Sequence, residues 1–241
     1  MPEMRIGGAP FSYEVVYSAR RTLGVVVSQD GAVAVRAPHG TSDSRIAKFV
    51  ERFKPWILRQ LSRGRKACPA RKYVTGESLS YLGKKYRLRV TVDGALKHPD
   101  VSLTATRLLV AVQSGLSEET RQRAVKNALA GWYKERAQQV LPERVSQLGR
   151  IMCLSPSGIK VKTQLRRWGS CTVKGAVALN WQIVMAPLKV IDYVVIHELC
   201  HLKVRHHQKE FWQLVASYSP EFKKLRKWLR LNSRSIAFMS E

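Results

Sequence analysis

Acidic residues are scarce in this chain: 17 Asp and Glu stand against 42 Lys and Arg, a net charge of +25 over 241 residues. An excess of that sign favours polyanionic partners, namely nucleic acid, nucleotides or an anionic membrane face. The cations are dispersed rather than blocked, so a merely solvated basic surface accounts for them equally well. Cysteine is sparse too. Cys68, Cys153, Cys171 and Cys200 show no paired spacing such as C-x-x-C, and thiols scattered in this way suit a reducing cytoplasm. No apolar run approaches the length of a membrane span. Arg20-Arg21 ahead of Leu23 to Val27 has the look of an export signal, but the apolar part is too short and runs into Ser28-Gln29-Asp30-Gly31. It reads as a strand entering a turn, and the expected location is the cytoplasm. Also missing are a P-loop, a helix-turn-helix, a zinc finger, a four-Cys ribbon, and any repeat or low-complexity segment.

What is present is a globular composition, 45% hydrophobic and 24% charged, long enough for one large domain or two small ones. Residues 1–12 carry no clear pattern. Tyr13 to Tyr17, Leu23 to Val27 and Ala32 to Val35 read as strands, with Asp30-Gly31 as a hairpin signal. Ile46, Phe49, Val50, Phe53, Trp56, Ile57 and Leu61 recur at helical spacing, with Pro55 expected to kink or divide that helix. After a basic loop at 62–72, a second β unit spans Ser78 to Leu82, Tyr86 to Val92 and Leu103 to Val112. Region 13–112 is thus expected to be β-rich with one packed helix. From Glu118 the period is helical as far as Leu148, with Pro142 expected to kink the run or begin a second helix. Strands are expected over Ile159 to Leu165 and over 176–184, making a hairpin with Trp168-Gly169-Ser170-Cys171 between them. The run 220–236 is a basic amphipathic helix, and its cationic face is the better of two candidate polyanion sites.

Within 187–212 lies His197-Glu198-Leu199-Cys200-His201. Helix residues four apart stack on one face, so His197 and His201 can offer two imidazole nitrogens to one ion. Glu198, one step round the helix, can reach a water on that ion and take its proton. Val190, Ile191, Val194, Val195, Leu199 and Leu202 recur at intervals of three and four, so the motif lies on a mostly apolar helix. Two His and a Glu buried there without a partner would be costly, and a bound cation offsets that cost. Cys200 points away from the ligand face and reads as packing. A third ligand is needed to leave one position open for water, and His206, His207, Glu210 and Glu221 are the candidates. His207 follows His197 by ten residues, a separation that needs the chain to turn after Leu202, although Val204 stands where a glycine usually makes that turn. Ser219-Pro220-Glu221 instead reads as a helix N-terminus.

Four blocks in order carry a resemblance: Arg167-Trp168-Gly169-Ser170-Cys171, Ala178-Leu179-Asn180, Ile191 to Leu202, and His207 with Phe211-Trp212. They resemble the YgjP-like zinc-metallopeptidase family, a bacterial relative of the SprT-like proteins. Ser18 to Leu23, Val35 to Pro38 and Tyr81 to Tyr86 extend the likeness upstream. The resemblance implies an α+β fold in which the β-rich 13–112 region precedes a zincin-like metallopeptidase domain at 116–241, its H-E-x-x-H helix beside a β-hairpin. It implies Zn2+ held by His197, His201 and His207, Glu198 as catalytic base, and a peptide or protein substrate. Arg167, Trp168 and Ser170 are expected to line the cleft, and Asn180 to steady a ligand histidine. A tight turn with a buried ring serves equally for Trp168. Two other readings keep the metal. One is a nucleoside triphosphate pyrophosphatase, which the basic charge suits; the other is a DNA-associated SprT-like protease.

Overall fold

The computed structural model describes residues 11–28, 31–64, 71–164 and 167–236. Asp30 of the first turn, Leu165, most of the basic 62–72 loop with Cys68, and residues 1–10 lie outside that set. The chain divides into two compact units, 1–69 and 70–241.

In the first unit, β1 (Glu14–Ser18), β2 (Gly24–Val27) and β3 (Val33–Pro38) form a sheet in the order β1-β3-β2, with β1 parallel and β2 antiparallel to the central strand. Alternation along β3 turns Val33, Val35 and Ala37 to one face. Helix α1 (Asp43–Gly64) covers that face with Ile46, Val50 and Ile57. Pro55 lies inside α1 and does not divide it.

The second unit has a single core built from two sheets and the remaining helices. Strands β4 (Ser78–Tyr81), β5 (Lys84–Val92), β6 (Asp100–Leu103) and β7 (Arg107–Val112) pair in the order β4-β5-β7-β6. The single strand expected over 103–112 is therefore two, which pair antiparallel with Leu103 opposite Leu108. Leu79, Leu88, Leu108, Val110 and Val112 pack in the same cluster as Leu129 and Tyr133 of α2 (Glu118–Met152). These strands therefore share their apolar cover with α2 within the unit 70–241. α2 runs unbroken through Pro142, because buried Tyr133, Ala137, Leu141 and Val145 hold both sides of the lost hydrogen bond in place.

The second sheet corrects the expected hairpin. β8 (Gly158–Lys162) pairs parallel with β10 (Ala176–Asn180), so these two strands are not the arms of a hairpin. The arms are β10 and β9 (Gly169–Cys171), which pair antiparallel with Cys171 opposite Val177 and Gly169 opposite Leu179. β10 also stops at Asn180, whose side chain accepts from Gln182 N at 3.2 Å and starts a 3-10 turn over Trp181–Met185.

Helix α3 (Leu188–Cys200) follows, starting from Pro187, whose carbonyl accepts from Val190 N and Ile191 N. Val190, Ile191, Val194, Val195 and Ile196 are β-branched and poor helix formers, so this helix depends on being buried nearly all round. Two contacts seat its start. Leu82 N donates to Val184 O at 2.7 Å, and Gly83, at φ +81°, packs directly on Pro187. The Arg144 Nε of α2 donates to Asp192 Oδ1 at 2.8 Å. Helices α4 (Lys209–Tyr218) and α5 (Phe222–Ile236) complete the unit, and no helix among the described residues is long and apolar enough to cross a membrane.

Candidate metal centre

His197 sits in the last turn of α3 and His201 caps that helix. Beyond it the chain tightens: His201 N bonds Glu198 O, Leu202 N bonds Leu199 O at 2.9 Å, and Val204 N bonds Cys200 O at 2.9 Å. Val204 has no positive φ, so the turn is made without the glycine that the sequence lacks there. The chain then returns to place His207 next to the helix, and the Trp212 indole N–H holds the His207 carbonyl at 3.1 Å.

One ligand atom from each of His197, His201 and His207 lies within 4.8 Å of the others. The Nε2 atoms of His197 and His207 are 3.1 Å apart. Bonds of about 2.0–2.1 Å at a tetrahedral ion put two nitrogens roughly 3.3 Å apart, so this spacing suits a shared ion with little adjustment. His201 Nδ1 is 3.0 Å from the Val204 carbonyl, which can only accept; Nδ1 therefore carries the proton and Nε2 keeps its lone pair. Burial holds His197 down at about 3, with the neighbouring His201 and His207 and then Arg226 adding to the effect, so its ring is neutral at ordinary pH. His201 is lowered by burial as well, against the opposing bond to Val204. Beneath the three rings lies Phe211, its centroid 4.5 to 4.9 Å from each. The donor set is three imidazoles on an apolar floor. It fits a divalent ion of borderline softness.

Glu198 is buried, 5% exposed, and its carboxyl is pushed up to about 7 by that burial, against the pull of Arg167. It has room only because β9 carries a glycine opposite it. A Cβ on Gly169 would lie 2.6 Å from both Cγ and Oε1 of Glu198.

A family model of the YgjP-like metallopeptidase domain matches residues 21–232. The chain belongs to the YgjP-like family. No curated protein matches it. Among solved structures, the metallopeptidase zymogen abylysin of Pyrococcus abyssi is similar at 20% identity, over 39% of this chain and 94% of that one, with a TM-score of 0.35. The zymogen jannalysin of Methanocaldococcus jannaschii is similar at 19% identity, over 39% and 96%, also at 0.35.

Of the residues expected to line the cleft, Arg167 is coupled to the centre through the charge it places near Glu198. The Asn180 amide donates to Gln164 O at 2.7 Å and Arg167 O at 3.4 Å, tying down the connection before β9. The Ser170 hydroxyl donates to Gln164 Oε1 at 3.5 Å in the same network. Trp168 is half-buried against the core, and its carbonyl takes the Asn180 N–H. His206 and Glu210 are exposed and stand outside the triad, while Glu221 accepts from Lys224 at 2.8 Å. The Cys200 thiol is buried and pushed up to about 12, as a packing residue would be.

Reasoning from the sequence gave no role to three parts of this YgjP-like centre, Gly169, the Val204 carbonyl and Arg205, and placed Arg226 only on the candidate polyanion face of 220–236. The Arg205 guanidinium donates to Thr172 O at 2.7 Å and Val173 O at 3.0 Å, pinning the hairpin tip to the chain between two of the histidines.

Proposed function

We propose that the chain is a zinc-dependent metallopeptidase in which His197, His201 and His207 hold the ion and Glu198 is the general base. The observation that carries this is the gathering of three imidazoles within 4.8 Å, beside the buried carboxylate of Glu198 on the helix that bears His197. Zinc, when bound, lowers the pKa of water and polarises a carbonyl. Glu198 takes the proton from the attacking water and returns it to the leaving amide nitrogen. Its ordinary value, raised by burial, suits it to both transfers near neutral pH. A dication close by stabilises the carboxylate and draws that value down again. The His201–Val204 bond keeps one imidazole in the tautomer that ligates. β9 lies at the edge of its sheet, and Gly169 on it abuts Glu198. An extended peptide that adds to this edge passes next to the base, which supports a peptide as the substrate.

The test is Glu198→Gln in the full chain, with zinc content measured by mass spectrometry and cleavage followed on an unfolded protein such as reduced casein. One zinc per chain retained, with turnover lost by at least about a hundredfold, is the expected result. Undiminished cleavage by the variant would sink the assignment.

A further inference from the structure

Next to the three imidazoles is a pocket of about 370 Å3 lined by Tyr193, His197, His207, Trp212 and Arg226. Two of its walls are ligand histidines, so whatever fills it lies against the ion. The remaining walls are an aromatic frame and one cation. Trp212 is locked in place: its N–H holds the His207 carbonyl, and its ring stacks on Phe222 at 5.4 Å. Arg226, one turn after Phe222 on α5, sets its guanidinium 4.8 Å from the centre of the Trp212 ring. Among the described residues no carboxylate pairs with Arg226. Beside a bound dication, a guanidinium with no carboxylate partner among the described residues is electrostatically incomplete. It is completed by an anionic occupant. Stacking holds the planar fork ready, and that fork matches a carboxylate with two parallel hydrogen bonds.

We propose that Arg226, held on Trp212, recognises a carboxylate on the peptide substrate next to the bond that is cleaved. This rests on the peptidase reading above and gives it a substrate class: acidic residues, or a free C-terminus, adjoining the cut. Both sources present the same group. A phosphate is the rival anion, and the titration below separates the two.

The experiment uses the full-length, zinc-loaded Glu198→Gln protein, which cannot consume its ligands. Calorimetric titration compares acetyl-Ala-Ala-Glu-amide, its Gln counterpart, acetyl-tri-alanine with a free carboxylate, and UTP. At least one carboxylate peptide is expected to bind about tenfold more tightly than the Gln amide. Which of the two does so separates side chain from C-terminus. Adding Arg226→Gln should erase the difference, and Arg226→Lys should keep only part of it, since charge remains but the fork is lost. Equal binding of the carboxylate and amide peptides overturns the proposal, as does absence of heat from all of them. Arg226-dependent binding of UTP alone also overturns it, in favour of a phosphate site. In parallel, wild-type and Arg226→Gln enzymes digest a peptide library, and the cut sites are sequenced. An enzyme that cuts with the same profile in both forms refutes the carboxylate site while leaving the peptidase intact. A wild-type enzyme that holds zinc and cuts nothing refutes the peptidase itself.

Discussion

At the scale of single residues, Glu198 and Gly169 form one device. The glycine is needed for space, since its extended strand demands nothing of its φ. A Gly169→Ala methyl would meet the end of a flexible side chain and not backbone, so the fold should yield at Glu198 alone. The expected outcome is a near-wild-type melting temperature and bound zinc, with turnover reduced about a hundredfold by the displaced base. Steady-state kinetics beside calorimetry reads both. Glu198 also sets a pH dependence. Its folded value of about 7 exceeds the ordinary 4.5, so the folded metal-free protein binds more protons than the unfolded chain between those limits. Stability therefore falls as pH rises through that window, and the cost stays at its full size above it. Glu198→Gln removes this cost. The metal-free variant should be more stable than wild type by about 2–3 kcal/mol at pH 8 and no more stable at pH 4. Urea unfolding at both pH values measures it, and an equal gain at both would contradict the account.

At the scale of elements, α3 is the part whose position matters and whose own sequence least favours a helix. It is held by what surrounds it. A Cβ on Gly83 would be 2.7 Å from the Pro187 backbone, and φ +81° already disfavours any side chain. Gly83→Ala should cost about 1–3 kcal/mol, read as a lower melting temperature. The Arg144–Asp192 pair joins α2 to α3 at 2.8 Å. Burial raises Asp192 more than Arg144 lowers it, so the carboxylate is the strained partner. Arg144→Gln should accordingly destabilise more at pH 7 than Asp192→Asn does, by about 1–2 kcal/mol, with the gap closing as Asp192 protonates in acid. Paired unfolding curves at pH 7 and pH 4 decide this. The hairpin shows where element reading from sequence stops. Both apolar runs, 159–162 and 176–180, are strands, yet their parallel pairing depends on a crossover that hydropathy does not encode. The Gly169-Ser170-Cys171 strand was hidden because three small residues give no alternation to read.

At the scale of the whole molecule, the ion is expected to be a large share of the stability of 70–241, since folding alone brings the three imidazoles together. Removing it with a chelator should lower the melting temperature, and zinc should restore it in a concentration-dependent way, by about 2.7 kcal/mol at a hundredfold excess over Kd. Zinc affinity should weaken on acidification, because protons compete for the same lone pairs. The sequence by itself determined that His197, Glu198 and His201 stand together on one helix, because positions about one turn apart are related by the geometry of that turn alone. It determined the alternating strands and helical stripes for the same local reason. Only the tertiary structure decided that the 78–112 sheet shares a core with α3, that Asn180 braces a loop, and that His207 returns beside His197 and His201. It alone brought Gly169 against Glu198, and Arg226 over Trp212 beside His207. Those are contacts between residues far apart in the chain, and they exist because apolar faces had to be buried together, which no local pattern records.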